Sequence, residues 1–172
     1  MALISYVSNE DAPAKIKPIF DGMEKKLGVV PNVFRAMAHN PAMLEAFLGL
    51  NGTLPLTELD GKLRELAYIR TSEVNGCAYC LHHHREIGKK AGLTDRQTSE
   101  TARFESSDAY TPLEREVMRY AETVTRQVEV DDALFARLKE VLSDRQILEL
   151  AMTVGIANFT NRVTGTLRME LP

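Results

Sequence analysis

Cys77 and Cys80, the only cysteines in this 172-residue chain, stand three residues apart, and His82, His83 and His84 come just after them. A thiol attacks as its thiolate, and a free-thiol pKa near about 8.5 leaves little of that form at neutral pH. Three features of the stretch bear on this. The cysteines fall in the first turns of a predicted helix, whose partial positive end favours an anion. His84 follows Cys80 by four residues and can approach its sulfur. The C-x-x-C spacing brings a second sulfur close enough to close a disulfide. Such a set can reduce a peroxide: one thiolate is oxidised to a sulfenic acid and the second thiol condenses with it. The disulfide then returns to the dithiol by exchange with another dithiol. The helix dipole favours Cys77 as the attacker and the imidazole spacing favours Cys80, so the residues alone leave the first attacker open.

Two other readings use the same side chains. Cys77, Cys80 and His84 are valid zinc ligands, but structural zinc takes four, and Glu65 would have to complete the set. Alternatively the pair is two buried structural thiols.

Asn75 is a candidate N-cap for the cysteine helix, and Gly92-Leu93 a stop signal. With an advance of about 100° per residue and Cys77 at zero, Cys80 lies at roughly −60° and His84 at roughly −20°. His82 and His83 fall at roughly +140° and −120°, away from the sulfurs. Both are read as solvated, as is His39, and Tyr79 as a packing residue.

The surrounding chain predicts helices throughout. Pro13 opens a first helix with Ile16, Ile19, Phe20, Met23 and Leu27 inward, stopped at Gly28. A short helix spans Val33 to Ala38, and Asn40-Pro41 opens another. Thr57-Glu58-Leu59-Asp60 resembles a capping box and starts the helix carrying Leu63, Leu66 and Ile69, with Glu65 beside Leu66. Capping boxes recur at Thr94-Gln97 and Thr111-Glu114, the latter with Pro112 at the first helical position. Val117, Tyr120, Ala121, Val124 and Val128 form the inner face that follows. Asp131 or Asp132 caps the next helix, and Ser143 opens the last long one, with Ile147, Leu150, Val154 and Phe159 inward. The tail from Gly165 is expected to fray. About eight helices and no strand pair make an all-α fold, read as one domain over 1–172.

Hydrophobic residues are 44% of the chain and aromatics 6%, with no Trp, which favours helices. A net charge of −3 leaves no basic excess for phosphates and argues against nucleic acid. No apolar run reaches membrane-spanning length, and the first ten residues lack a signal-peptide pattern, so the expected location is the cytoplasm. In that reducing compartment a C-x-x-C pair points to redox or metal chemistry rather than a structural staple.

Glu65, then eleven residues, then Cys77-x-x-Cys80-x-x-x-His84 resembles the motif of the alkylhydroperoxidase D-like group in the carboxymuconolactone decarboxylase superfamily. The resemblance implies a helical domain acting as a thiol-dependent hydroperoxide reductase in antioxidant defence. It implies that Cys80 attacks peroxide, that Cys77 resolves, and that Glu65 and His84 form a proton relay. No bound cofactor is implied. Electrons come from an external dithiol protein or lipoyl group, a peroxiredoxin is a further partner, and the chain assembles as a homo-oligomer, a trimer or hexamer. One position departs from the family pattern: Tyr79 stands before the second cysteine where alkylhydroperoxidase D has a histidine. The alternatives are a redox-sensing or zinc-binding interaction module, and a non-redox decarboxylase-like enzyme; the decarboxylase branch lacks the cysteine pair.

Mild peroxide treatment is expected to join Cys77 and Cys80 within one chain. Intact mass and thiol counting should show two hydrogens and two thiols lost together. Persistence of both thiols, or disulfides only between chains, would refute the dithiol cycle.

Overall fold

The computed structural model describes residues 1–171, and all regular structure among them is helical. The helices are α1 (Lys17–Leu27), α2 (Asn32–Met37), α3 (Pro41–Asn51), α4 (Gly61–Val74), α5 (Ala78–Lys90), α6 (Asp95–Ser99), α7 (Pro112–Gln127), α8 (Asp132–Lys139) and α9 (Asp144–Thr166). Single 3-10 turns lie at Leu54–Leu56 and Thr101–Arg103. No helix among the described residues is long and apolar enough to cross a membrane.

The chain divides into two compact units, one of residues 1–53 with the C-terminal residues from Thr164, the other of residues 54–163. In the first, Ile16, Phe20, Val30, Ala38 and Leu44 form the core. Gly28 ends α1 in the left-handed region at φ 77°, as its position predicts. Asn40 caps α3 by accepting the Met43 N–H. Through Leu171 the C-terminal tail is tied down rather than frayed, and Pro172 lies outside the described residues. Leu3 N–H donates to Leu167 O at 3.0 Å, Asn32 Nδ2 to Glu170 O at 2.9 Å, and Glu170 N–H to Tyr6 Oη at 3.0 Å. Those partners are far away in the chain, so no local pattern announces them.

The second unit is built around α4. Leu63 and Ala67 pack with Val117, Ala121, Leu138, Leu150 and Val154 on one side. Leu66 and Ile69 pack with Leu93, Phe104, Tyr110 and Met118 on another. A helix covered on several sides must also bury polar residues, and Glu65, Arg70, Thr71 and Ser72 are all buried. Arg70 is answered by Glu122 of α7 at 2.7 Å and Glu73 at 3.2 Å, with its guanidinium over the Phe104 ring.

Local signals hold at several ends. Thr94 and Thr111 both make full capping boxes, and Asp131, not Asp132, caps α8. Ser143 and Gln146 exchange hydrogen bonds at the start of α9. Several expectations differ. The helix bearing Glu65 starts at Asp60, whose carboxylate accepts the Lys62 and Leu63 N–H groups; Thr57 donates to Leu54 O instead. The Leu59 N–H is drawn away to Glu149 Oε2 at 2.8 Å, which keeps that residue out of the helix. Val128 is 81% exposed with φ 70°, because α7 stops at Gln127. Phe159 is 51% exposed on α9, where helical period predicts it inward.

Leu66→Ala should cost about 2–5 kcal/mol through lost burial and a cavity between packed helices. Leu148, 61% exposed on α9, should tolerate alanine within about 0.5 kcal/mol. Urea titration at unchanged m-value checks both.

Candidate active site

Cys77 is held by the ends of two helices at once. Gly76 adopts φ 66°, the left-handed conformation that terminates α4. Its N–H donates to Glu73 O at 3.0 Å, and the Cys77 N–H to Ser72 O at 2.9 Å. Cys77 is then the N-cap of α5, its Sγ accepting the Cys80 N–H at 3.3 Å. The expected cap, Asn75, instead ends α4, so Cys77 lies just outside the cysteine helix and Cys80 in its first turn. The reason is the tight connection: Gly76 bends the chain, the Cys77 N–H goes back to Ser72 O, and the capping role passes two residues on to the Cys77 sulfur. At its other end α5 closes with the same kind of motif, Gly92 N–H to Lys89 O and Leu93 N–H to Gly88 O.

The two sulfurs are 2.7 Å apart. A disulfide spans about 2.05 Å, so bond formation needs less than an ångström of movement. Both residues are buried, Cys77 at 5% exposure and Cys80 at 2%.

One turn along α5, His84 Nδ1 lies 2.8 Å from Glu65 Oε2. A carboxylate only accepts, so Nδ1 carries the proton and Nε2 remains the basic edge. The other oxygen, Glu65 Oε1, accepts from Arg64 Nε at 3.2 Å, and Arg64 Nη1 continues to Leu54 O at 3.0 Å. Glu65 is buried yet paired on both oxygens. The Tyr68 ring stacks on the His84 imidazole, with centroids 3.4 Å apart and planes 9° from parallel. Burial, then the neighbouring Cys80, Glu65 and Cys77, push the Tyr68 hydroxyl far above its ordinary pKa, against the hydrogen bond with Thr160. Tyr68 therefore stays a neutral phenol.

The turn between α4 and α5 is braced from α9. Asn75 Nδ2 donates to Asn158 Oδ1 and to Asn161 Oδ1, each at 2.9 Å, while Asn161 Nδ2 donates to Ser72 Oγ at 3.1 Å.

Cys77, Cys80, Glu65 and His84 thus all lie at the junction of α4 and α5, with a dithiol and an acid–imidazole pair. Among the described residues no group of three or more His, Cys, Asp or Glu side chains is arranged to hold a metal ion. His82 is exposed as its wheel position predicts. His83 differs. Its ring stands edge-on to Tyr79 at 4.7 Å, and its Nε2 is buried with no hydrogen-bond partner. Burial, reinforced by His82 and His84, lowers its pKa and keeps it uncharged at neutral pH. Tyr79 is buried, as a packing residue should be. No sequence pattern singles out Tyr68 or the bracing of Asn75 by Asn158 and Asn161. Tyr68 stands one turn after Glu65, which places the two on one helix face. A cleft of about 720 Å³ runs beside α5 and α6, lined by Ala78, Leu81, Arg85 and Lys89 among others, but neither sulfur opens into it.

The chain is similar to several known proteins. The model of the carboxymuconolactone decarboxylase family matches residues 41–123. An uncharacterised Bacillus subtilis protein, YdfG, is 30% identical over 103 residues, which cover 59% of this chain and 70% of that one. A peroxidase-related protein from Ralstonia eutropha JMP134 with an alkylhydroperoxidase core superposes with a TM-score of 0.90 at 26% identity, covering 99% of this chain and 92% of that one. The debrominase Bmp8, in a cysteine-to-alanine variant bound to 2,3,4-tribromopyrrole, superposes with a TM-score of 0.86 at 25% identity, covering 100% and 92%.

Gly76→Ala should lower stability by about 1–2 kcal/mol, since a Cβ is disfavoured at its left-handed φ. Gly155, mid-helix in α9 with nothing within 4 Å of an added Cβ, should gain up to about 1 kcal/mol from alanine. Equilibrium denaturation of both variants checks the contrast.

Proposed function

Because the chain belongs to the carboxymuconolactone decarboxylase family, as an alkylhydroperoxidase D-like member, we propose that it is a thiol-dependent hydroperoxide reductase in antioxidant defence. The observation that carries this reading is the buried dithiol, with sulfurs 2.7 Å apart, at the start of the helix whose imidazole is fixed by a buried carboxylate. In the cycle, His84 Nε2 takes the Cys80 thiol proton while Glu65 steadies the imidazolium through Nδ1. The Cys80 thiolate attacks the outer peroxide oxygen. The O–O bond breaks, Cys80 becomes a sulfenic acid, and the leaving alkoxide takes the proton from His84 and departs as ROH. Cys77 then attacks the Cys80 sulfenic sulfur, releasing water and forming the disulfide. A dithiol protein or lipoyl group supplies two electrons and two protons to restore both thiols. No resident cofactor enters the cycle. A peroxiredoxin partner, cytoplasmic location and a trimeric or hexameric assembly belong to the same reading.

A second reading is favoured by the likeness to Bmp8 along the whole chain. The same dithiol could remove bromine from an electron-rich aromatic ring: two thiols give two electrons and two protons, and ArBr becomes ArH and HBr as the disulfide closes. Bromide release from 2,3,4-tribromopyrrole, set beside consumption of an alkyl hydroperoxide with dihydrolipoamide as donor, decides between the two.

Cys80→Ser is expected to abolish peroxide consumption. Cys77→Ser should leave a sulfenic acid at Cys80 that dimedone traps. Glu65→Gln and His84→Ala should slow sulfenate formation by about 10²–10⁴-fold. Sulfenate trapped at Cys77 in the Cys80→Ser protein at the wild-type rate would reverse the two roles, and steady turnover by Cys80→Ser would remove the mechanism.

A further inference from the structure

Within the relay just described, the His84 imidazole is gripped at two places, and only one of them is the Glu65 carboxylate. A single hydrogen bond to Nδ1 holds one edge of the ring and restrains the tilt of its plane only weakly. The Tyr68 ring removes that freedom, because its face lies 3.4 Å from the imidazole centroid and within 9° of parallel. Tyr68 is itself immobile: it is 2% exposed, it sits on the central helix, and its hydroxyl is engaged with Thr160 of α9. Glu65 and Tyr68 stand three residues apart on α4, so one helix face supplies both the carboxylate and the plate. We propose that Tyr68 is a positioning residue for the dithiol chemistry, acting through His84 by stacking and not through its hydroxyl. The inference rests on the reductase reading, since it assigns His84 a proton to move.

The chemistry of the step gives the stack a second use. When His84 accepts the Cys80 proton, the ring becomes an imidazolium against the negative face of the phenol, a contact that favours a cation. The interaction is therefore strongest when the proton has been transferred, which is the condition for accelerating the step. The hydroxyl is dispensable to this role. Thr160 Oγ1 already donates to Ile156 O at 2.9 Å, so removing the phenol oxygen leaves that hydroxyl bonded.

The test is a double-mutant cycle between Tyr68→Leu and His84→Ala, read as the rate of dimedone-trapped sulfenate at Cys80 in Cys77→Ser protein, with Tyr68→Phe alongside. Tyr68→Leu alone should slow the step about tenfold, the scale of one stacking contact. Tyr68→Phe should retain the rate to within about threefold. In the His84→Ala background Tyr68→Leu should cost nothing further, because its route of action is already gone. Additive losses, or a phenylalanine variant as slow as the leucine one, would overturn the proposal. Circular dichroism checks folding; should Tyr68→Leu not fold, Tyr68→Met, which is also unable to stack, replaces it. Proton NMR of reduced protein gives a readout independent of turnover. The His84 ring protons should be shifted upfield by the stacked phenol in wild type and Tyr68→Phe, and should lose that shift in Tyr68→Leu. Unshifted signals in wild type would refute the stack in solution. If the stack is present but no peroxide forms sulfenate, the reductase reading fails and the catalytic role of Tyr68 falls with it, while the stacking geometry stands.

Discussion

A carboxylate inside a helix that is buried on several sides has to be answered, and much of this unit's internal arrangement follows from answering Glu65. Leaving one partner of a buried ion pair alone costs about 3–5 kcal/mol, a large part of a domain's total stability of about 5–15 kcal/mol. Arg64 and His84 take one oxygen each. Arg64 is the preceding residue and brings in the Leu54 carbonyl from the chain just before α4. His84 comes from α5, so the register of α5 along α4 is fixed by the need to deliver that imidazole. Close packing agrees: Gly88, one turn beyond His84, leaves its Cβ position to Leu93, Ile69 and Glu65.

The second constraint is the tightness of the α4–α5 connection. Val74 ends one helix and Ala78 begins the next. Within so short a link the backbone groups at both helix ends need partners, and Cys77 serves both: its N–H closes α4 and its sulfur opens α5. An N–H donor at the positive end of a helix supports a sulfur anion. This divides the proposed labour without rivalry between the two arguments drawn from the sequence. The imidazole stands one turn from Cys80 and serves the attack; the cap stands on Cys77 and serves the resolving thiolate.

These constraints explain which parts were legible in the sequence. Thr94, Thr111 and Ser143 announce their helices because a cap is a contact within four residues. The all-helical class was readable for a related reason, since helical spacing carries it, and a motif collects Glu65, Cys77, Cys80 and His84. The misplaced starts at Thr57 and Asn75 share a cause. In each case the amide that a local reading gave to the nearest polar residue has another acceptor: Leu59 N–H goes to Glu149 and Cys77 N–H to Ser72 O. The tail bonds to Tyr6 and Asn32, the His83 contact with Tyr79, and the Asn75 brace from α9 are tertiary facts of the same kind. Helical period turns Phe159 inward, but α9 carries apolar residues on several faces, and period cannot choose among them.

The burial of the dithiol bears on how such a site survives its own oxidant. A sulfenic acid that meets a second peroxide goes on to the sulfinic acid, which exchange with thiols does not reverse. Escape depends on the resolving thiol arriving first. A group held in reacting geometry behaves as though present at about 10⁵–10⁸ M, against micromolar peroxide in solution. With the sulfurs already in contact, and with Ser72 O and the Gly76 bend holding Cys77 in place, resolution starts from that geometry. Solvent is a poor candidate to stabilise charge on sulfurs exposed by only 5% and 2%, so the stabilisation falls to fixed groups: the Cys80 N–H, the end of α5 and the His84–Glu65 pair. Fixed groups need no reorganisation as charge moves between the sulfurs, but they work only while the α4–α5 turn keeps its shape. The Asn75, Asn158 and Asn161 side chains that brace this turn touch no sulfur in any contact described above, yet the proposed chemistry depends on the geometry they hold.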